Sequence, residues 1–288
     1  MFRFFVLVLG AVSLLPPSFA GGQTRQDLQD AYSRMDQALS VREELSAADS
    51  YFIGRAVGAN ILRLYRPYTA NPALLAYLQD ICDAITVNSP RPEFYNGYHL
   101  MILDTPEVNA LTTSGGHIFI TRGFIGLADS EDALAAIIAH EIAHIQLEHS
   151  VELINRMSLT WELTDEGRRA AETASRNLPE KERILLFGNS VNEMINTLIR
   201  KGYSRTQELE ADVYAAGLLA GAGYDPRALT EILRLLQNKA AGRSPEGLNA
   251  THPSPAQRIA NLQPVLARYP ASGSSSYRKS RFINRVRP

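Results

Sequence analysis

Apolar residues recur along this chain at two different spacings, and the switches between them outline its elements. Ile53, Val57, Ile61 and Leu62 stand at helical spacing and predict a helix over residues 49 to 65. Asn71-Pro72 opens a second helix over 72 to 88, with Leu78, Cys82 and Ile85 on one apolar face. Tyr98 to Leu103 and His117 to Thr121 read as strands, and Gly115-Gly116 punctuates the connection between them. From Ser130 onward the pattern is helical again. Asp129 or Ser130 can cap a helix running to about His149. Further helices are expected over 180–200, 204–221, 226–239 and 255–268, with Pro226 and Pro255 at first-turn positions. A polar, charged helix is expected over 25–47. No repeat of solenoid length is present. Two short strands among many helices predict an α+β fold, mostly helical, with a small β-sheet beside the helix over residues 130 to 149.

The first residues change the picture. Arg3 precedes an apolar run from Phe4 to Leu15, and Ser18-Phe19-Ala20 offers small residues at the positions a signal peptidase reads. Residues 1–20 are therefore expected to be a cleaved signal peptide that delivers the protein to the periplasm. The run is short for a membrane span. Residues 21–270 would form one catalytic domain, and residues 271–288 a basic tail. That tail holds Arg278, Lys279, Arg281, Arg285 and Arg287 after the small residues Gly273 to Ser276, and it reads as flexible. A peripheral membrane contact is the sharper reading of those charges. The formal net charge of -1 gives no sign of a nucleic-acid partner. Cys82 is the only cysteine, so a cysteine-rich metal site is excluded.

The chemistry sits in Ala139-His140-Glu141-Ile142-Ala143-His144. Two histidines four apart lie one turn apart on the same helix face, so their imidazoles can converge on one ion. Glu141 is offset around the helix and can reach a metal-activated water without ligating the metal. Leu134, Ile137, Ile138, Ile142, Ile145 and Leu147 make the helix apolar, and burying two histidines and a glutamate there needs a compensating partner. A third ligand is required. An extended site would need Gly at 147 and His at 150, but Leu147 and Ser150 stand there. Glu208 and Asp212, four apart on a later helix, supply the alternative. Glu208 can bind the metal while Asp212 accepts a hydrogen bond from a ligand histidine. Glu210 points elsewhere and is read as a surface acid. His149 falls off the ligand face and is read as structural.

These stretches, with Thr251-His252-Pro253, Arg258-Ile259, Asp104 to Ala110 and Gly115 to Gly123, resemble the HtpX/BepA/Ste-type zinc metalloproteases (metallopeptidase family forty-eight). The likeness covers residues 45 to 265 and is nearest to the periplasmic BepA-like branch. It implies a gluzincin-type fold and one Zn2+ per chain. It implies His140, His144 and Glu208 as ligands and Glu141 as general base. By the same likeness His252 lies near the metal, as a removable extra ligand or as a donor to the tetrahedral intermediate. Arg258 is expected to pair with a carboxylate behind the ligands. His117, Ile118 and Phe119 are expected to form a sheet edge to which an extended peptide adds.

The activity implied is zinc-dependent endopeptidase action on protein or peptide substrates, in envelope protein quality control. The alternative is a zinc-stabilised, chaperone-like binding protein shut by His252. Glu141 argues against it, because a structural site has no use for a base. Leu111 to Ser114 depart from the family's usual residues, which bears on substrate preference. No tetratricopeptide array is expected after the domain, so relatives' partners are not expected to carry over. The oligomeric state is open.

Overall fold

The computed structural model describes residues 47–94, 96–152, 202–240, 254–270 and 276–286. The signal segment, the polar helix over 25–47, the helix over 180–200 and His252 lie outside them. The described elements are α1 (Ala47–Leu64), α2 (Pro72–Val87), β1 (His99–Leu103), β2 (Ala110–Thr113), β3 (His117–Thr121), α3 (Arg122–Leu127), α4 (Glu131–Gln146), α5 (Arg205–Gly221), α6 (Ala228–Ala240), α7 (Pro255–Leu266) and α8 (Ser276–Val286).

Helix α4 is the hub. Its sequence is apolar around the whole circumference, and such a helix is stable only when it is surrounded. Helices α2, α5, α6 and α8 and the sheet all pack on it. Leu134, Ile138 and Ile142 are fully buried there beside Leu78, Ile85 and Leu219 from the neighbouring helices. Cys82 belongs to the same core, and burial pushes its thiol up to about 12, as expected of a packing residue.

The sheet has three strands in the order β1-β3-β2. Strand β3 runs parallel to β1 and antiparallel to β2. Alternation along β3 sends Ile118 and Ile120 into the main core. His117 and Phe119 face α1, where Gly54 and Gly58 let the helix approach. A Cβ on Gly54 would stand 1.6 Å from the Ser114 carbonyl oxygen. Gly116 turns the chain from β2 into β3 with φ +91, where a side chain would also collide with the Gly97 carbonyl.

Two expectations are corrected here. Strand β3 is central, paired on both sides and buried throughout, so His117, Ile118 and Phe119 form no open edge. The basic tail is not flexible over its whole length, because Ser276–Val286 is helix α8. Its Phe282 is buried, and its Arg278 and Arg281 find carboxylates far away in sequence. Arg281 donates to Glu131, itself held by the Tyr77 hydroxyl at 2.8 Å, and Arg278 donates to Asp132 at 3.0 Å. Among the described residues no helix is long and apolar enough to cross a membrane.

Candidate functional site

Three helix starts are fixed locally, and they set the positions of the site residues. Ser130 caps α4 by accepting from the Ala133 amide. Glu131 and Asp132 follow in its first turn, where the helix dipole favours acids. Ser204 and Gln207 form a capping box on α5, which places Glu208 and Asp212 on the face toward α4. Ser254 and Gln257 form another on α7, immediately before Arg258.

The packing of α5 on α4 brings His140, His144 and Glu208 together. One candidate donor atom from each lies within 4.8 Å of the others. The two Nε2 atoms are 3.1 Å apart. Glu208 oxygens lie 3.5 Å from His140 Nε2 and 3.7 Å from His144 Nε2. Ligand atoms about 2.05 Å from a tetrahedral ion are separated by about 3.3 Å, so this set fits a small cation. Two imidazoles and one carboxylate are the donors of an open catalytic site rather than a closed structural one.

Behind His140 the arrangement is layered. His140 Nδ1 lies 3.1 Å from Asp212, which is wholly buried. Arg258 grips Asp212 with two nitrogens, at 2.8 and 2.6 Å, and reaches Glu208 at 3.1 Å. The guanidinium thus contacts both carboxylates and offsets one of the two negative charges that burial alone would not tolerate.

The charge states follow from the packing. Burial works against a charged His140 and so does Arg258, yet Asp212 and Glu208 outweigh both and raise it to about 9. Burial, with His140 beside it, holds His144 well below its usual range. Asp212 is lowered despite burial, because Arg258 and His140 face it. Burial raises Glu141 to about 7, with Glu208 adding to the effect and His140 opposing it. Glu141 is thus a buried carboxyl next to His140, His144 and Glu208 but outside that convergent set.

Sequence reasoning missed three contributors. Tyr203 stacks on the His144 imidazole at 3.9 Å, and its hydroxyl lies 2.7 Å from Thr112 Oγ1 in β2. His149 returns to within 2.8 Å of His144, and Glu210 lies 3.4 Å from His149. Helical periodicity had put His149 and Glu210 away from the site. The signal was weak, because α4 stops at Gln146 and Glu148 turns with φ 60. His117 is buried against Tyr51, with Nδ1 3.1 Å from the Ser114 carbonyl oxygen, and burial lowers it to about 4. It belongs to the α1 contact.

Comparison with known proteins identifies the family. A sequence model of peptidase family M48 matches residues 72–265. The chain is 24% identical over 281 residues to a protein of Yersinia pestis named beta-barrel assembly-enhancing protease, covering 94% of this chain and 55% of that protein. The Escherichia coli (strain K12) protein of the same name is 24% identical over 259 residues, covering 88% and 49%. A mitochondrial metalloendopeptidase OMA1 of Schizosaccharomyces pombe is 28% identical over 168 residues, covering 58% and 46%. The chain spans about half the length of the curated relatives it matches.

His140 must shed a proton before its imidazole can ligate a metal. With that proton held to about pH 9, metal affinity should rise with pH and level off above it. Below that point the slope is about tenfold per pH unit for the single proton. Chelator competition across this range measures the dependence, and a flat profile would contradict the assignment.

Proposed function

On the premise that the chain belongs to peptidase family M48, we propose that it is a zinc-dependent metalloendopeptidase acting in protein quality control of the cell envelope. The observation that carries this reading is the placement of Glu141. It is buried beside the convergent His140, His144 and Glu208 yet is not one of them. A site that only held metal would have no use for a carboxyl there.

Bound zinc would supply Lewis acidity toward a water molecule and toward the scissile carbonyl. Two imidazoles and a carboxylate suit this borderline ion. Glu141 takes the proton that the attacking water loses and passes it to the leaving amine. A carboxyl raised to about 7 is well matched to a proton in transit near neutral pH. Asp212 keeps His140 in the tautomer with hydrogen on Nδ1, leaving Nε2 free to ligate. The family likeness also implies a role for His252, which lies outside the described residues.

The substrate is proposed to be an extended polypeptide docked on β2 rather than β3. Strand β2 ends the sheet order, and Tyr203 connects it to His144. The Thr121 amide bonds the Asn109 carbonyl, so the antiparallel alternation turns the backbone groups of Ala110 and Thr112 away from β3. The outward amide and carbonyl of Ala110 can pair with a peptide, whereas the outward Thr112 carbonyl accepts from the Tyr203 hydroxyl at 3.3 Å.

The periplasm is the proposed location, from the export-signal pattern of residues 1–20. The names of the Yersinia and Escherichia relatives favour an envelope substrate.

Glu141→Gln should retain zinc while peptide cleavage falls by roughly 100- to 10,000-fold, the range for losing a general base. Cleavage of a quenched peptide, with metal content measured in parallel, tests this, and wild-type rates in the variant would refute the role. In the same assay, His252→Ala distinguishes a latch, whose loss raises activity, from a donor, whose loss lowers it. Ala110→Pro removes one outward amide without touching the β2–β3 ladder, and it should raise KM more than it lowers kcat. An unchanged KM would refute docking on β2.

A further inference from the structure

Helix α4 stops at Gln146, and Glu148 adopts a left-handed conformation with φ 60. A residue with a side chain rarely takes that conformation, and it persists only where the surroundings enforce it. Here Glu148 follows the C-cap Leu147, the position where helices commonly end in this conformation, and Arg91 adds contacts from outside the helix. Its guanidinium donates to the Gln146 carbonyl at 2.8 Å and to the Glu148 carboxylate at 2.9 Å. The consequence is local. A continued helix would carry residue 149 off the ligand face, but the turn swings the His149 ring back toward His144. The two Nδ1 atoms lie 2.8 Å apart, and both rings are buried. On the far side of His149, Nε2 lies 3.4 Å from a Glu210 oxygen.

The proton positions in this chain follow from valence. His144 Nε2 faces His140 and Glu208, so it is the atom left free for the metal. His144 Nδ1 then carries the hydrogen and donates it to His149 Nδ1. His149 can accept there only with its own hydrogen on Nε2, where Glu210 is placed to receive it. We propose that His149 and Glu210 form a positioning relay that fixes the tautomer and ring orientation of the metal ligand His144. This rests on the metallopeptidase reading above. The relay completes a pattern, because His140 already has Asp212 at its Nδ1. Each ligand imidazole thus has its own outer partner, a carboxylate directly for one and a carboxylate through a second imidazole for the other. Tyr203 closes the remaining face of His144 by stacking, which leaves the ring little freedom to turn.

The experiment is a double-mutant cycle on zinc affinity, read by competition with a chromogenic chelator. The proteins are wild type, His149→Asn, Glu210→Ala and the double variant. Asparagine keeps an acceptor near the position of Nδ1 but cannot pass a hydrogen bond on to Glu210. Glu210→Ala should weaken zinc binding several-fold in the wild-type background and leave it unchanged in the His149→Asn background. His149→Leu, which removes the acceptor altogether, should weaken binding by roughly 10- to 100-fold, the range for losing an outer partner. His149→Asn should recover most of that loss. Thermal unfolding of the metal-free proteins shows whether each variant folds, and if His149→Leu does not, the asparagine cycle still decides. An equal loss from Glu210→Ala in both backgrounds, or no loss in either, overturns the relay. Failure of the wild type itself to bind zinc would overturn the metallopeptidase reading and the relay with it. Zinc binding by wild type with a null cycle would overturn the relay alone.

Discussion

A carboxylate and two imidazoles meet across the contact between α4 and α5, where only His140 keeps partial access to solvent. Glu208 and His144 are nearly inaccessible, and Glu141 beside them is also buried. Leaving such groups unpaired in a dry interior would be costly. The structure lowers that cost in two ways. Arg258 offsets one of the two charges on Asp212 and Glu208 from behind, while the convergent donor atoms leave a place where a cation would satisfy the rest. Most features of the fold can be understood as holding that meeting point still.

Helix α4 needs to be rigid because three of its residues must aim into one small volume. Its apolar circumference provides this, since every side not facing the site is covered by another element. The N-terminal end is tied down separately. Glu131 and Asp132 receive Arg281 and Arg278 from α8, and the Tyr77 and Tyr224 hydroxyls also reach Glu131. A helix near the end of the chain therefore braces the metal-binding helix at the opposite end from His144. The C-terminal end is tied by Arg91 at the turn that returns His149.

Local physics was legible in the sequence and nonlocal pairing was not. The convergence of His140 and His144 could be read because spacing along one helix fixes geometry. Glu208 and Asp212 could be read for the same reason, with Ser204 marking the helix start. The strand over His117–Thr121 was placed correctly, but its central position was hidden, because it depends on β2, a four-residue strand with two threonines that gave no clear apolar alternation. The tail was misread because its arginines seemed unpartnered, when Glu131 and Asp132 stand about 150 residues earlier. His149 and Glu210 were misjudged because the helix was extended through Glu148, where the backbone leaves helical geometry.

X-ray absorption at the zinc edge of the metal-loaded protein reads the ligand set itself. Two imidazole nitrogens at about 2.0–2.1 Å and a carboxylate oxygen at about 2.0–2.2 Å are expected. Replacing Glu208 with alanine should remove the carboxylate contribution and leave both imidazoles. A sulfur scatterer in the first coordination sphere, an all-oxygen shell, or a spectrum unchanged by that replacement would contradict that ligand set.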